Sequence, residues 1–351
     1  MTQYQLKDRL LGLFMGQLVG DAVGTRYEFM NSVNVKQKIL DDISSNATND
    51  TGPNEILPLL GGGPFNVLSG QYTDDSELAL GIWYCFLVYK KYDINDISNI
   101  FYAWYESGPF DIGNATRNAF SGGNTYEKMK HNAKKYNSGN LSNGCLMKIS
   151  PIGAIDIIGV GSDFHKCAKE VCRLTNPNKL CVDMCVAYVI AINTALKTGD
   201  PIKVYTQAKI STRLKITSII LNDALEKPYP VKLFNNSSND STDNFILVNP
   251  DKEFQGYVGI AFQNAFYQLL NVTLANGGFQ KVITNTILLG GDTDTNACIA
   301  GALYGACYGY SNIPTEWRNK VERYTNIMER NYVPLEHNYL FQKLKMTKNV
   351  E

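Results

Sequence analysis

Glycine recurs at every fourth position from Gly12 to Gly24, in a stretch whose apolar residues Leu6, Leu10, Leu13 and Phe14 mark one helical face. A four-residue spacing lays the glycines along one side of the helix, at a cost of about 1 kcal/mol each in helix propensity. Such a smooth side lets a second backbone approach closely. The pattern returns near the end of the chain, where Ala297, Gly301, Gly305 and Gly309 form another stripe. Two helices built for close approach imply one compact central layer.

Helical periods dominate elsewhere, at 75–90, 95–107, 114–135, 163–173, 181–198, 202–222, 256–271 and 278–288, and no strand-helix-strand rhythm appears. The reading is an all-α single domain over residues 1–351. Residues 227–255 are polar, contain proline and lack a sustained period, so they read as a surface insertion.

Lys plus Arg and Asp plus Glu both total 33, which removes any global field favouring nucleic acid or an anionic membrane. With neither a signal-peptide pattern nor ~20 uninterrupted apolar residues, a cytoplasmic, monomeric protein is expected. Cys167, Cys172, Cys181 and Cys185 lie close in sequence, but no pair has a two-residue knuckle spacing and no histidine joins them. They read as small, reduced, buried side chains.

Two acidic clusters follow glycine-containing turns and open helices: Thr73, Asp74 and Asp75 in "QYTDDSELAL", and Asp292, Asp294 and Thr295 in "LGGDTDTNACIAG". An aspartate or threonine at a helix start is ordinarily a cap, gaining typically about 0.3–1 kcal/mol from the dipole. A cap needs one acceptor, and each cluster supplies two carboxylates that repel unless something positive sits between them. Brought together, the clusters offer an all-oxygen set for Mg²⁺, Mn²⁺ or Ca²⁺, with charge enough for two ions. In "GDAVGTRYEF", Asp21 sits where the first helix is expected to end and to bond backbone groups at that turn. Glu28 follows the turn, on what reads as a mobile flap, where apolar surroundings would raise its pKa and suit it to proton transfer.

These residues together resemble the ADP-ribosylglycohydrolase family, whose members include the enzyme that reactivates dinitrogenase reductase and the ADP-ribosyl-acceptor hydrolases. The matching stretches are "GQLVGDAVGTRYEF", "YTDDSELAL", "SNGCLMKISPIGA", "LTNPNKLCVDMCVAY" and "LGGDTDTNACIAGALYGACYG", followed by "IPTEW", in family order from residue 12 to 317. The resemblance implies an all-α fold around two Mg²⁺ ions, or Mn²⁺, held by Thr73, Asp74, Asp75, Asp292, Asp294 and Thr295. It also implies that ADP-ribose on a protein, or in a small molecule, binds with its ribose hydroxyls on the metals and is cleaved at the anomeric carbon. Glu28, Asp75 and Asp292 then carry the catalysis.

Residues 137–147 match the family loop whose backbone cradles the pyrophosphate, naming Asn143, Gly144 and Met147, and bare N–H groups in a glycine turn do form an anion nest. Gly113, with Asp111, belongs to the substrate-side helix start. Two departures stand out. Asn176 replaces a family histidine near the adenosine end, and Lys148 replaces a common arginine, keeping the charge but losing the bidentate fork. The rival readings are a non-catalytic ADP-ribose-binding or structural relative, against which all six metal positions speak, and a two-metal phosphoesterase, which leaves Glu28 and the glycine loop unexplained.

Overall fold

The computed structural model describes residues 2–46, 56–234, 245–324 and 336–347. Its fifteen α-helices and one two-stranded sheet bear out the all-α class. The first half holds α1 (Gln3–Gly24), α2 (Ser32–Ser45), α3 (Asp74–Tyr84), α4 (Ile94–Glu106), α5 (Asn114–Phe120), α6 (Tyr126–Tyr136) and α7 (Phe164–Arg173). The long α8 (Lys179–Thr198) leads into α9 (Pro201–Ser211) and α10 (Lys215–Asp223). After strands β1 (Val231–Phe234) and β2 (Phe245–Val248) come α11 (Val258–Asn271), α12 (Gly278–Ile287), α13 (Thr293–Tyr308), α14 (Thr315–Arg323) and α15 (His337–Lys345).

The two glycine stripes meet. A Cβ placed on Gly12 would lie 2.3 Å from the Gly305 carbonyl oxygen, one on Gly16 2.4 Å from that of Gly301, and one on Gly20 2.2 Å from that of Ala297. α1 and α13 therefore run antiparallel, backbone against backbone, through the middle of the core. The register continues to the active end, where the Thr293 hydroxyl donates to the Gly24 carbonyl at 2.8 Å. α13 is flanked by α8, α11 and α12, and α8 by α7 and α9. Among the described residues α8 alone has the length and apolarity of a membrane span, yet 89% of that window is buried inside the protein.

Two expected helices are each divided. The span 114–135 breaks at a glycine pair, with Gly123 at φ 116°, a conformation that L side chains rarely adopt. The span 202–222 breaks before Lys215, where the Asp183 carboxylate accepts the Arg213 and Leu214 N–H groups at 3.0 and 3.1 Å. The stretch 227–255 is not structureless: β1 and β2 pair antiparallel from Val231 against Val248 to Phe234 against Phe245. Four-residue strands are too short to display a period, and residues 235–244 lie outside the described set.

Candidate functional site

Asp21 bonds backbone, but not at the end of its own helix, because α1 continues to Gly24. Its carboxylate instead accepts the N–H groups of Thr73 and Ser76, each at 3.0 Å, and so caps α3 from across the fold. The Thr73 hydroxyl sits 3.1 Å from Asp21 and 2.9 Å from Asp75. Asp74 and Asp75 consequently face the same space as the start of α13.

Glu28 is no flap. The Phe29 N–H donates to Gly291 O at 2.7 Å and the Gly291 N–H to Met30 O at 2.8 Å, which pins the Glu28 turn to the glycine turn before α13. Gly290 and Gly291 have φ of 74° and 76°, which is why glycine stands at both. Behind that turn Arg26 makes a two-point ion pair with Asp42 at 2.7 Å for both contacts, and the Tyr27 hydroxyl adds a third bond at 2.8 Å.

A cavity of about 450 Å³ opens between these elements. Glu28, Asp74, Asp75, Asp292, Asp294 and Thr295 line it, together with Gly113, Asn143, Gly144 and Met147. Thr73 and Asn176 do not line it. Thr73 stands behind the wall between two carboxylates, and the fully buried Asn176 lies beneath the loop, its Nδ2 donating to Asn140 Oδ1 at 3.0 Å and Ser142 Oγ at 3.1 Å. The loop is tied across the cavity by Asn143, whose amide donates to Asp292 at 2.8 Å and whose N–H donates to Gly256 O at 2.9 Å. Gln255, the last residue of the expected insertion, and Gly256, where the next helix is expected to open, are lining residues. Sequence reasoning missed both, while Asp111, expected with Gly113 at the substrate-side helix start, also lines the cavity.

Among the described residues no Lys, Arg or His lines this cavity, and the buried Lys148 acts on Asp74 from behind the lining. Burial, and then the neighbouring Asp292, raise Glu28 to about 9. Burial and then Asp21 raise Asp74 to about 7, and burial and then Asp74 raise Asp111 to about 10. Asp75 and Asp294 are pushed well above the usual carboxylate range, again first by burial. Carboxylate oxygens of Glu28, Asp111 and Asp294 lie within 4.8 Å of one another. Glu28 Oε2 and Asp75 Oδ1 are buried without a hydrogen-bond partner. Orphaned carboxylate oxygens in an all-oxygen cluster are the donor set that hard divalent cations take, so the residues present fit such ions.

These shifts fix a pH dependence. A carboxyl whose folded pKa is raised keeps a proton that the unfolded chain releases near pH 4. Its stabilising effect is therefore complete below about pH 4 and is lost as pH rises toward 7 to 10. Divalent cations bound at these oxygens would compete with those protons, so a rise in melting temperature on adding Mg²⁺ is expected to be larger at pH 8.5 than at pH 6. A rise that is flat or shrinks with pH in differential scanning fluorimetry would contradict this.

With the geometry in place, comparison with known proteins is informative. A family model described as ADP-ribosylglycohydrolase matches residues 2–347. Protein L543 of Acanthamoeba polyphaga mimivirus, named for the same glycohydrolase activity, is 30% identical over 331 residues, covering 91% of this chain and 94% of that protein. "ADP-ribosylarginine hydrolase Tri1" of Pseudomonas putida (strain GB-1) is 27% identical, over 92% of this chain and 76% of that protein. A solved chain titled "ADP-ribosylglycohydrolase-related protein complex" shares the fold at a TM-score of 0.66 and 21% identity, covering 97% of this chain and 98% of its own.

Proposed function

We propose, from the premise that this chain belongs to the ADP-ribosylglycohydrolase family, that it hydrolyses ADP-ribose from a modified arginine side chain in a Mg²⁺-dependent reaction. The observation that carries this reading is the cavity itself, where a cluster of carboxylates, with no Lys, Arg or His among the described lining residues, adjoins a glycine-containing loop. Asp74, Asp75, Asp292, Asp294 and Thr295 would hold the ions, with Thr73 fixing Asp75 from behind. When bound, such ions neutralise the acidic wall, bind ribose hydroxyls and lower the pKa of a water.

The remaining chemistry is the protein's own. Gly144 offers the pyrophosphate its N–H group, on a loop held in place by Asn143, whose N–H is bonded to Gly256 O and whose amide is bonded to Asp292. Glu28, its proton retained by burial, supplies it to the departing guanidine nitrogen, and the carboxylates stabilise positive charge at the anomeric carbon. The arginine acceptor is supported by the named activity of the Pseudomonas putida relative.

The test is release of ADP-ribose from arginine-, serine- and nucleic-acid-linked substrates, with and without Mg²⁺ and with Asp292→Asn as control. Arginine-linked substrate is expected to turn over only with metal and to fail with the variant. ADP-ribose binding by calorimetry without turnover on any substrate would overturn the hydrolase reading.

A further inference from the structure

A second donor cluster of opposite chemistry lies on the far side of the substrate loop. Cys145 comes from the short turn Asn143–Cys145, Cys172 from the last turn of α7, and Cys181 and Cys185 from one face of α8, four residues apart. The Sγ atoms of Cys145, Cys172 and Cys185 lie within 4.8 Å of one another. Cys181 stands one helical turn before Cys185 on α8, its Sγ 3.6 Å from Asn140 O on the same loop as Cys145. All four are 0% exposed. Cys167, nearest to Cys172 in sequence, is not part of this group of sulfurs. Three separate elements thus converge sulfur to sulfur, with no carboxylate or imidazole in the cluster.

We propose that Cys145, Cys172 and Cys185, with Cys181 as fourth ligand, form a thiolate site for a zinc-class cation that fastens the substrate loop to α7 and α8. The donor set decides the class: sulfur selects Zn²⁺ or Cu⁺, while the all-oxygen cavity selects Mg²⁺, so the two sites do not compete. Tetrahedral thiolates at about 2.3 Å from zinc stand about 3.8 Å apart, and the Cys145, Cys172 and Cys185 sulfurs, already within 4.8 Å of one another, reach that by shifts of under about 1 Å. Binding forms one metal–sulfur bond and releases one proton per thiol, with no change of oxidation state. The thiolates need a counter-charge, and the fully buried Lys148 supplies it. Among the described residues its Nζ donates to two neutral oxygens, Gly144 O and Thr175 Oγ1, and its charge is felt by Cys145, Cys172 and Cys185 and, less, by Asp74 of the cavity.

The position gives the site a consequence. Cys172 Sγ lies 3.2 Å from Asn176 O and Cys181 Sγ 3.6 Å from Asn140 O, and Asn176 in turn holds Asn140 and Ser142. Asn140, Ser142, Asn143 and Gly144 line the cavity. An ion here stiffens the floor of the loop without touching substrate, a positioning role that rests on the hydrolase reading. The metal content does not.

The experiment measures metal in protein purified without chelator, then replaces it with Co²⁺. Elemental analysis is expected to find about one zinc per chain. Refolding with Co²⁺ should give a near-ultraviolet thiolate-to-cobalt band. Cys172→Ser should lose that band and the zinc, while Cys167→Ser keeps both. In Mg²⁺-saturated assays, removing the zinc should raise KM on the order of 10-fold with a smaller change in kcat. Zinc below about a tenth of an equivalent, together with no cobalt–thiolate band from wild-type protein, would overturn the proposal, as would a disulfide among these four residues. Zinc with an unchanged KM would overturn the positioning role alone. Failure of hydrolysis with zinc present would strike the proposed function and leave the site standing.

Discussion

Asp294→Asn is expected to cost about 10³-fold or more in kcat/KM for ADP-ribose release, about 4 kcal/mol of transition-state stabilisation, while making the metal-free protein more stable to heat. The activity loss follows from removing one of the carboxylates that face the cavity with Asp74, Asp75 and Asp292. The stability gain follows from linkage. Burial and then Glu28 raise Asp294 well above its ordinary range, so the folded metal-free protein holds a proton that the unfolded chain gives up above about pH 4. Each pH unit above that disfavours the fold, by on the order of 1 kcal/mol for one such group. The amide does not titrate, and its Oδ1 can still accept the Thr295 N–H that Asp294 accepts at 2.8 Å. Thermal unfolding at pH 8.5 in EDTA should therefore occur at a higher temperature in the variant, and Mg²⁺ should add less to it. A variant that melts earlier in EDTA would refute the repulsion account.

Gly305→Ala is expected to destabilise the protein by about 3 kcal/mol or more, although alanine is the better helix former by about 1 kcal/mol. An added Cβ would stand 2.1 Å from the Gly12 carbonyl oxygen and 2.7 Å from the Gly12 carbonyl carbon, both backbone atoms of a buried helix. α1 and α13 would have to separate along their length. That separation would also disturb the far end of the pair, where Thr293 bonds Gly24 and sets Asp294 near Glu28, so the thermal response to Mg²⁺ should weaken as well. Gly139→Ala is the comparison: nothing lies within 4 Å of its added Cβ, and its effect should stay within about 0.5 kcal/mol. Denaturant unfolding of the two variants distinguishes steric overlap from a general cost of replacing glycine. Equal effects would discard the close-packing argument.

Much of the site was legible because its residues announce themselves by surplus. Two acidic clusters hold more charge than capping uses, and the structure brings Asp74, Asp75, Asp292 and Asp294 onto one cavity. Other features carried weak signals. α2 buries little beyond Val35, Ile39 and Asp42, too few positions for a convincing period, though Asn31 caps it as an ordinary N-cap would. The break between α5 and α6 was written in Gly122 and Gly123, and the helical period around it masked that signal. Cys145 escaped notice because it lies 27 residues before Cys172 in the chain.

The amino-acid sequence by itself determined what is periodic or chemically excessive. The glycine stripes required close helix approach, and the doubled carboxylates marked a surplus of charge that capping does not use. Only the tertiary structure decided which backbone each stripe meets and which helix Asp21 caps. It also decided that Glu28 is pinned to Gly291, and that four cysteines from three elements share one place. Local spacing reports the face on which a residue lies. The partner of that face is set by packing many elements at once, and no single segment encodes it.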